Sequence, residues 1–282
     1  MYKMIAIDLD GTLLNDEKEI SKEDILWVRK AYKEKGVIPV IATGRTLTSA
    51  KHFADMLGMD VVEYIIAQNG AIIKDITKNE YIRFKLLDNE TIEKSINILK
   101  LNNLEIHVST EDYIILDQEK SANEIEIYNK LGDKIKVVKD LVSYNFNDEN
   151  ITIMVGVGTK ENLSKATEEL KKNIEDILII PISKFMAKNG EYVYESYYIE
   201  FNAGGITKGN GITSLSEYLN IKSEELIVIG DGQNDSSMFE LDGFKIAMEN
   251  GVETLKNKAD YITGTNNENG VAKAIKKYIF NL

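Results

Sequence analysis

The 282-residue sequence predicts an α/β protein in which a doubly wound parallel sheet is interrupted by an inserted α+β domain. Short, near-continuous apolar segments alternate with amphipathic segments of helix length at both ends of the chain. From about residue 83 to residue 196 the pattern changes to short strands in pairs, with helices among them. We therefore predict one domain from residues 1–82 and 197–282, and a second from residues 83–196.

The first part of the chain is predicted to be a βαβαβ unit. Ser21 is a favourable N-cap for its first helix, and Gly36 is a favourable residue to end it. Gly58 ends the second helix, which is predicted near 46–57. The strands are predicted at MIAIDL (4–9), VIPVIAT (37–43) and YIIAQNG (64–70).

The insert is predicted to form an antiparallel sheet with a helical layer, because pairs of strands alternate with helices. HVSTEDYIILD is predicted to be a hairpin through Glu111 and Asp112. Helices are predicted near 90–101, 121–131 and 160–173, and strands near 105–109, 112–117, 151–157 and 177–181. After the insert, strands are predicted at 197–202, 226–230, 245–248 and 260–263, and helices at 208–219 and 271–280.

The composition excludes several classes of function. The formal net charge of −12 disfavours nucleic acid and anionic membranes as partners. Without cysteine, disulfides, thiolate zinc sites and thiol nucleophiles are excluded. The N-terminal segment has no signal-peptide pattern, and no apolar run is long enough to span a membrane. We therefore expect a soluble cytoplasmic protein.

Polar clusters follow three of the predicted buried strands. They are Asp8-Leu9-Asp10-Gly11-Thr12, Thr43-Gly44-Arg45 and the segment DGQND at 231–235. Lys208 begins the helix that precedes the strand at 226–230. In an open parallel sheet, ligands bind beyond the carboxyl ends of the strands. We therefore expect the three clusters to face one cleft.

The segments DLDGTLL, IATGR, ITKGNGI and GDGQNDSSMFE occur in that order. They resemble the four motifs of the haloacid dehalogenase (HAD) superfamily phosphatases, and the insert resembles the large α/β cap of the Cof-type branch. Further resemblance lies in AQNGA (67–71), IAMENG (246–251) and ADYITGTNNENGVAKAI (259–275). The resemblance implies a Rossmann-like HAD core and a cap that sets specificity. It also implies a Mg2+-dependent phosphatase that acts on a small phosphorylated metabolite, preferably a sugar phosphate.

Cleavage of a phosphate monoester needs a nucleophile, charge neutralisation and a proton donor. Cysteine is absent, and His52 and His107 lie far from the clusters in sequence, where structural roles are favoured. A carboxylate is a recognised alternative nucleophile, and Asp8 is the best candidate because it ends the first strand. Its charge must approach an anionic substrate, so we expect Mg2+ bound by Asp8, the backbone carbonyl of Asp10 and Asp231.

Two acids close to one phosphate should have pKa values that are moved apart. We expect one of them to be an ionised nucleophile and the other an acid that protonates the leaving alkoxide. The resemblance implies that Asp8 is the ionised nucleophile and that Asp10 is the acid, which later activates water as a base. Gly11 allows a tight turn, and Thr12 is expected to fix Asp10 through a local hydrogen bond.

The resemblance also implies a phosphate site. Thr43 and the backbone N–H groups of Leu9 and Gly44 bind the transferring phosphoryl group there. Lys208 supplies a fixed positive charge on the phosphoryl oxygens, and Asn234 is implied to be a further donor to the phosphate.

Some of these residues have simpler interpretations as turn, cap or first-turn residues, but the four motifs in order favour the catalytic one. Asp235 is implied to hold Lys208 or a metal-bound water. Arg45 either reaches the substrate or pairs with an acid to hold its turn, and the second interpretation is favoured.

Two alternative functions stay open at this point. A phosphomutase would share the aspartyl-phosphate and return the phosphoryl group to the sugar, whereas a phosphatase releases inorganic phosphate. A regulator that binds a phosphorylated ligand without turnover is the other alternative. Neither the physiological substrate nor the oligomeric state is assigned by the sequence.

Overall fold

A computed structural model describes residues 2–58, 60–118, 132–189 and 192–282, with the backbone alone described at 183–189 and 192–196. The chain divides into two compact units. One combines Met1–Phe84 with Thr207–Leu282, and the other is Lys85–Ile206. Each unit has its own sheet, which confirms an α/β core with an inserted α+β part. The helix predicted at 121–131 lies outside the described residues.

The first unit is built on one eight-stranded sheet. Its strands are β1 (Met4–Ile7), β2 (Ile38–Ala42), β3 (Tyr64–Ala67), β4 (Ile72–Asp75), β5 (Glu80–Phe84), β12 (Leu226–Gly230), β13 (Phe244–Ala247) and β14 (Tyr261–Ile262). Their order across the sheet is β14-β13-β12-β1-β2-β3-β4-β5. The strands from β14 to β3 run parallel, whereas β4 and β5 are added antiparallel at one edge.

The register of the central strands places their ends side by side. Ile7 of β1 is aligned with Ile41 of β2 and with Ile229 of β12. The segments that follow these three strands therefore begin at the same edge of the sheet, where a doubly wound fold binds its ligands.

The second unit contains a six-stranded sheet of order β10-β11-β9-β6-β7-β8 among the described residues. Its strands are β6 (Glu105–Thr110), β7 (Tyr113–Asp117), β8 (Lys134–Val138), β9 (Ile151–Gly158), β10 (Ile177–Asn189) and β11 (Tyr192–Ala203). Neighbouring strands are antiparallel except for β7 and β8. The predicted hairpin through Glu111 and Asp112 is the connection between β6 and β7.

Helices cover both faces of the first sheet. The described helices of the chain are α1 (Lys22–Lys35), α2 (Leu47–Leu57), α3 (Asn89–Leu101), α4 (Lys160–Asn173), α5 (Lys208–Tyr218), α6 (Glu253–Lys256) and α7 (Gly270–Ile279). One apolar core joins the sheet to α1, α2 and α7, and a second joins its opposite face to α5. Burial on both faces explains why the central strands are apolar without alternation. Among the described residues, no helix is long and apolar enough to cross a membrane.

The cap residues predicted for α1 are found at its ends. The Ser21 side chain accepts a hydrogen bond from the Asp24 backbone N–H, and Gly36 takes a left-handed conformation with φ of 67°. Both features satisfy backbone groups that a helix end leaves without intrahelical partners.

One predicted strand belongs to a different sheet. Residues 197–202 are predicted to belong to the first domain, but they lie within β11 and pair with β9 of the second unit. Their alternation, with Ile199 and Phe201 buried, fits the helix-covered face of an antiparallel sheet as well as a strand of the core. The unit boundaries accordingly fall after Phe84 and after Ile206. Strands β4, β5 and β8 were not predicted.

Candidate active site

The polar clusters that follow β1, β2 and β12 come together at one edge of the first sheet. The Asp8 backbone N–H donates to the Ile229 carbonyl (3.1 Å), which extends the pairing of β1 with β12 by one residue. The Thr43 backbone N–H similarly donates to the Ile66 carbonyl (2.8 Å). The chain thus leaves the sheet directly beyond Asp8 and Thr43, as the sequence predicted.

Lys208 is the charged centre of this edge. Its side chain has no solvent exposure, and its Nζ lies 2.5 Å from Asp8 Oδ1 and 2.7 Å from Asp235 Oδ1. Lys208 is the first residue of α5, whose N-cap Thr207 accepts from the Asn210 backbone N–H. A lysine is disfavoured at this end of a helix dipole. The two carboxylates compensate for that position and for burial.

Asp235 connects Lys208 to the loop after β12. Its Oδ2 accepts hydrogen bonds from the backbone N–H groups of Asp231 and Gly232, each at 2.9 Å, while Oδ1 contacts Lys208. Of the two roles suggested by the resemblance, the structure places Asp235 in contact with the lysine. A single carboxylate therefore fixes both the lysine and the backbone that carries Asp231.

The carboxylates of Asp8, Asp231 and Asp235 form a compact acidic triad. Each offers one oxygen, and these three oxygens all lie within 4.8 Å of one another. Burial and the neighbouring charge of Asp235 raise the pKa of Asp8, against the opposing effect of Lys208. Burial and Asp235 raise the pKa of Asp231 to about 7. Three acids balanced by one lysine carry surplus negative charge, and a set of carboxylate oxygens fits a hard divalent cation.

Asp10 lies beside the triad and has its own pair of cations. Arg45 contacts both oxygens, with Nε 2.6 Å from Oδ2 and Nη2 2.7 Å from Oδ1. Lys18 Nζ lies 2.9 Å from Oδ1. Arg45 is held in turn by Ser49 and lies over the ring of Phe53. The prediction that Arg45 pairs with an acid is confirmed.

The pKa values of Asp8 and Asp10 are moved apart, but in the opposite sense to the prediction. Burial acts to raise the pKa of Asp10, but Arg45 and Lys18 outweigh it and hold that pKa well below its usual range. Asp8 has the raised pKa instead. The prediction was wrong because the sequence shows neither the two cations that meet Asp10 nor the acids that crowd Asp8.

Thr12 has a different partner from the one predicted. Its Oγ1 donates to Asp231 Oδ1 at 2.7 Å, and does not fix Asp10. The reason is the turn at Gly11, where φ is +80°. A Cβ at Gly11 would lie 2.4 Å from Asp231 Oδ2, so the backbone approaches Asp231 more closely than any other residue would allow.

The turn after β2 is supported by the segment AQNGA. The backbone N–H groups of Gln68 and Asn69 donate to the carbonyls of Arg45 (3.0 Å) and Thr43 (2.9 Å). Gln68 and Asn69 are buried and have positive φ values of 49° and 54°. A Cβ at Gly44 would lie 3.1 Å from Asn69 Oδ1. The sequence identified AQNGA only by resemblance and did not predict that it supports Thr43–Arg45.

The remaining predicted residues lie as follows. Leu9 stands between the two acids with its side chain buried. Asn234 is half-buried in the turn Gln233–Asp235. Its side chain packs closely on Gly232, because a Cβ added at Gly232 would lie 2.8 Å from Asn234 Oδ1. His52 is exposed on α2, and His107 is buried on β6 of the second unit.

Comparisons with known proteins identify the family of the chain. The model of the haloacid dehalogenase-like hydrolases matches residues 5–275. The chain belongs to this family. The HAD-like chain is 32% identical over 277 residues to 5-amino-6-(5-phospho-D-ribitylamino)uracil phosphatase YcsE of Bacillus subtilis, covering 98% of this chain and 96% of the relative. It is 28% identical to the putative phosphatase YxeH of the same organism, covering 99% of each.

The solved structures agree with the family. A haloacid dehalogenase-like hydrolase from Bacteroides thetaiotaomicron superposes with a TM-score of 0.81 at 29% identity, covering 98% of this chain and 99% of the other. The Cof-type resemblance of the sequence is confirmed. With phosphatases as its relatives, this HAD-like protein is a phosphoric monoester hydrolase.

Proposed function

We propose that the protein is a Mg2+-dependent phosphatase that hydrolyses a small phosphorylated metabolite through an aspartyl-phosphate on Asp8. The observation that carries the proposal is the position of Asp8. It directly follows β1, it is buried, and it contacts a fully buried lysine within an acidic triad. Such a carboxylate is oriented before substrate arrives, which is what a nucleophile requires.

The metal is assigned to the carboxylates of the triad. Asp8 and Asp231 are the proposed side-chain ligands, with the backbone carbonyl of Asp10 as a third. Asp235 is a neighbouring acid already engaged by Lys208 and two backbone N–H groups. Bound there, Mg2+ would offset the negative charge of the carboxylates and of the phosphate.

In the first step, a carboxylate oxygen of Asp8 attacks phosphorus, and the bond from phosphorus to the substrate oxygen breaks. Asp10, in its protonated form, gives a proton to the departing alkoxide and is left as the carboxylate that the second step requires. Lys208 favours the ionised form of Asp8, against the burial and the charge of Asp235 that raise its pKa, and supplies positive charge to the phosphoryl oxygens. Thr43, Asn234 and the backbone N–H groups of Leu9 and Gly44 are proposed to hold the other phosphoryl oxygens.

In the second step, water attacks the aspartyl-phosphate, and Asp10 accepts the proton of that water. The phosphoryl group leaves as inorganic phosphate and Asp8 is restored. The contacts of Arg45 and Lys18 favour the ionised form of Asp10. This is the form that acts as a base in the second step.

The substrate is proposed to be a sugar phosphate or a related polyol phosphate. The relative YcsE is named for a substrate with a phosphorylated ribityl chain. The net charge of −12 supports a small metabolite over a nucleic acid. We assign specificity to the second unit, as an inserted cap domain, and catalysis to the first.

The test is hydrolysis of a panel of sugar and polyol phosphates with and without Mg2+, read as inorganic phosphate. The wild-type protein should release phosphate only with the metal, and Asp8→Asn should fold normally and release none. Isomer formation without phosphate release would instead indicate a phosphomutase. Full activity of Asp8→Asn would overturn the assignment of the nucleophile.

A further inference from the structure

The loop that follows β1 is tied to the far end of the chain. Asn250 Nδ2 donates to the Gly11 carbonyl at 2.8 Å. Asn266 Nδ2 donates to the Leu14 carbonyl at 3.0 Å and to Asp16 Oδ1 at 3.1 Å. These contacts join positions more than 230 residues apart in sequence, so the loop is held by tertiary structure rather than by its neighbours.

Asn267 adds a second pair of hydrogen bonds to the same loop. Its Oδ1 accepts from the Asp16 backbone N–H at 3.1 Å, and its Nδ2 donates to Asp16 Oδ2 at 2.9 Å. The Asn266 backbone N–H donates to Asn250 Oδ1 at 3.0 Å, which links these two asparagines directly. The three asparagines, Asn250, Asn266 and Asn267, are called the asparagine clamp below.

The loop is also closed on itself. The Asn15 backbone N–H donates to the Glu19 carbonyl, and the Lys18 N–H donates to the Asn15 carbonyl, both at 3.0 Å. Lys18 takes a left-handed conformation with φ of 64°. That conformation costs free energy for any residue with a Cβ. The surrounding hydrogen bonds stabilise it.

This network of hydrogen bonds fixes the position of the Lys18 ammonium group. Lys18 Nζ lies 2.9 Å from Asp10 Oδ1, which Arg45 also contacts. An exposed ion pair is usually weak, because two long side chains must be ordered to form it. Here the Lys18 backbone is already ordered by hydrogen bonds that do not involve the Lys18 side chain. The clamp therefore reduces the cost of the contact with Asp10.

We propose that Lys18 is a positioning residue for Asp10, and that Asn266 acts through Lys18 by fixing the loop that carries it. The inference rests on the acid–base role proposed for Asp10. Lys18 and Arg45 together fix the carboxylate in one orientation, so that its proton transfers reach the substrate oxygen and the attacking water. The segment around Asn266 therefore helps to position a catalytic group, although it touches no reacting atom.

The test compares two leaving groups. An alkoxide leaves only with a proton from Asp10, whereas a nitrophenolate leaves as a stable anion and depends little on that proton. We therefore expect Lys18→Gly to lower kcat/KM for glycerol phosphate about fivefold, the size of one exposed charge pair. The value for p-nitrophenyl phosphate should be nearly unchanged. Because glycine accepts the left-handed conformation, the melting temperature should not fall.

Asn266→Ala should show the same selective loss, and the Lys18→Gly/Asn266→Ala double variant should be no slower than the slower single variant. Lys22→Ala, which changes an exposed lysine at the start of α1, is the matched control and should behave as wild type. Equal losses for both leaving groups would overturn the inference. So would multiplied losses in the double variant, or no loss in Lys18→Gly.

The variant Asp10→Asn separates this inference from the proposed function. If Asp10→Asn hydrolyses glycerol phosphate as fast as wild type, the acid–base role itself is wrong. If Asp10→Asn is slow but Lys18→Gly is not, the role of Asp10 stands and that of Lys18 is wrong.

Discussion

Arg45 binds both carboxylate oxygens of Asp10, through Nε to Oδ2 at 2.6 Å and through Nη2 to Oδ1 at 2.7 Å. The arginine side chain is only 7% exposed, although the Asp10 side chain is 41% exposed. A two-point contact of this kind sets the plane of the carboxylate as well as its position. The orientation of the Asp10 carboxylate, the proposed acid–base group, therefore depends on Arg45, which lies in the turn after β2.

We expect Arg45→Lys to lower kcat for an alkyl phosphate by about tenfold, because a lysine cannot reproduce the two-point contact. KM should change less, since Asp8, Lys208 and the metal site are left intact. Steady-state kinetics on glycerol phosphate measure both values. Arg29→Lys is the matched control, because Arg29 contacts the Leu57 carbonyl at 2.7 Å, away from Asp10. Equal kcat values for Arg45→Lys and wild type would contradict the orienting role.

Lys208→Met should destabilise the fold as well as abolish turnover. The substitution leaves the buried acids Asp8 and Asp235 without their counterion, which costs about 3–5 kcal/mol. Urea unfolding followed by circular dichroism measures the loss. Lys258→Met removes a surface pair with Glu240 and should cost less than about 1 kcal/mol. Equal free energies of unfolding for Lys208→Met and Lys258→Met would contradict a stabilising role of the buried ion pairs.

Gly11→Ala and Gly36→Ala separate backbone strain from a clash in the site. Both glycines have positive φ, but a Cβ at Gly36 meets no atom within 4 Å, whereas one at Gly11 lies 2.4 Å from Asp231 Oδ2. Gly36→Ala should cost about 1–2 kcal/mol in the free energy of unfolding and keep its turnover. Gly11→Ala should lose turnover in addition, because Asp231 must move. Retained turnover in both variants would show that the site tolerates that movement.

Glu149 should make the stability of the second unit dependent on pH. Burial acts to raise its pKa, but Lys136, Tyr113 and Tyr144 lower it below the ordinary 4.5. The folded state therefore binds this proton less readily than the unfolded state does. The stability it contributes is complete above pH 4.5 and is lost as the pH falls further. The difference in unfolding free energy between wild type and Glu149→Gln should shrink between pH 6 and pH 3, about the range of that titration. A difference in unfolding free energy that does not change with pH would contradict the lowered pKa of Glu149.

The sequence predicted most of what places the site. The segments that lead to Asp8, Thr43 and Asp231 are long enough and apolar enough to be recognised as central strands. A parallel sheet brings the ends of these strands together. Lys208 was predicted from its motif, and the structure places it between Asp8 and Asp235.

What the sequence could not predict were partners chosen by tertiary structure. Lys18 reaches Asp10 because its loop is held by residues about 250 positions away, and no local pattern encodes that distance. Without Lys18 and the Arg45 contact, the relative pKa values of Asp8 and Asp10 were assigned in the wrong order. The strand at 197–202 was misplaced for a similar reason. Its alternation is compatible with either sheet, and only its pairing with β9 decides.

The central claim is that Asp8 carries the phosphoryl group, and trapping that group tests it most directly. Asp10→Asn should slow the release of phosphate from the enzyme and so allow the intermediate to accumulate. Acid quenching of this variant with p-nitrophenyl phosphate and Mg2+, a substrate whose leaving group does not need a proton from Asp10, followed by mass spectrometry of its peptides, should show one phosphoryl group on Asp8. A phosphoryl group on another residue, or steady release of phosphate with Asp8 unmodified at every time point, would contradict the account.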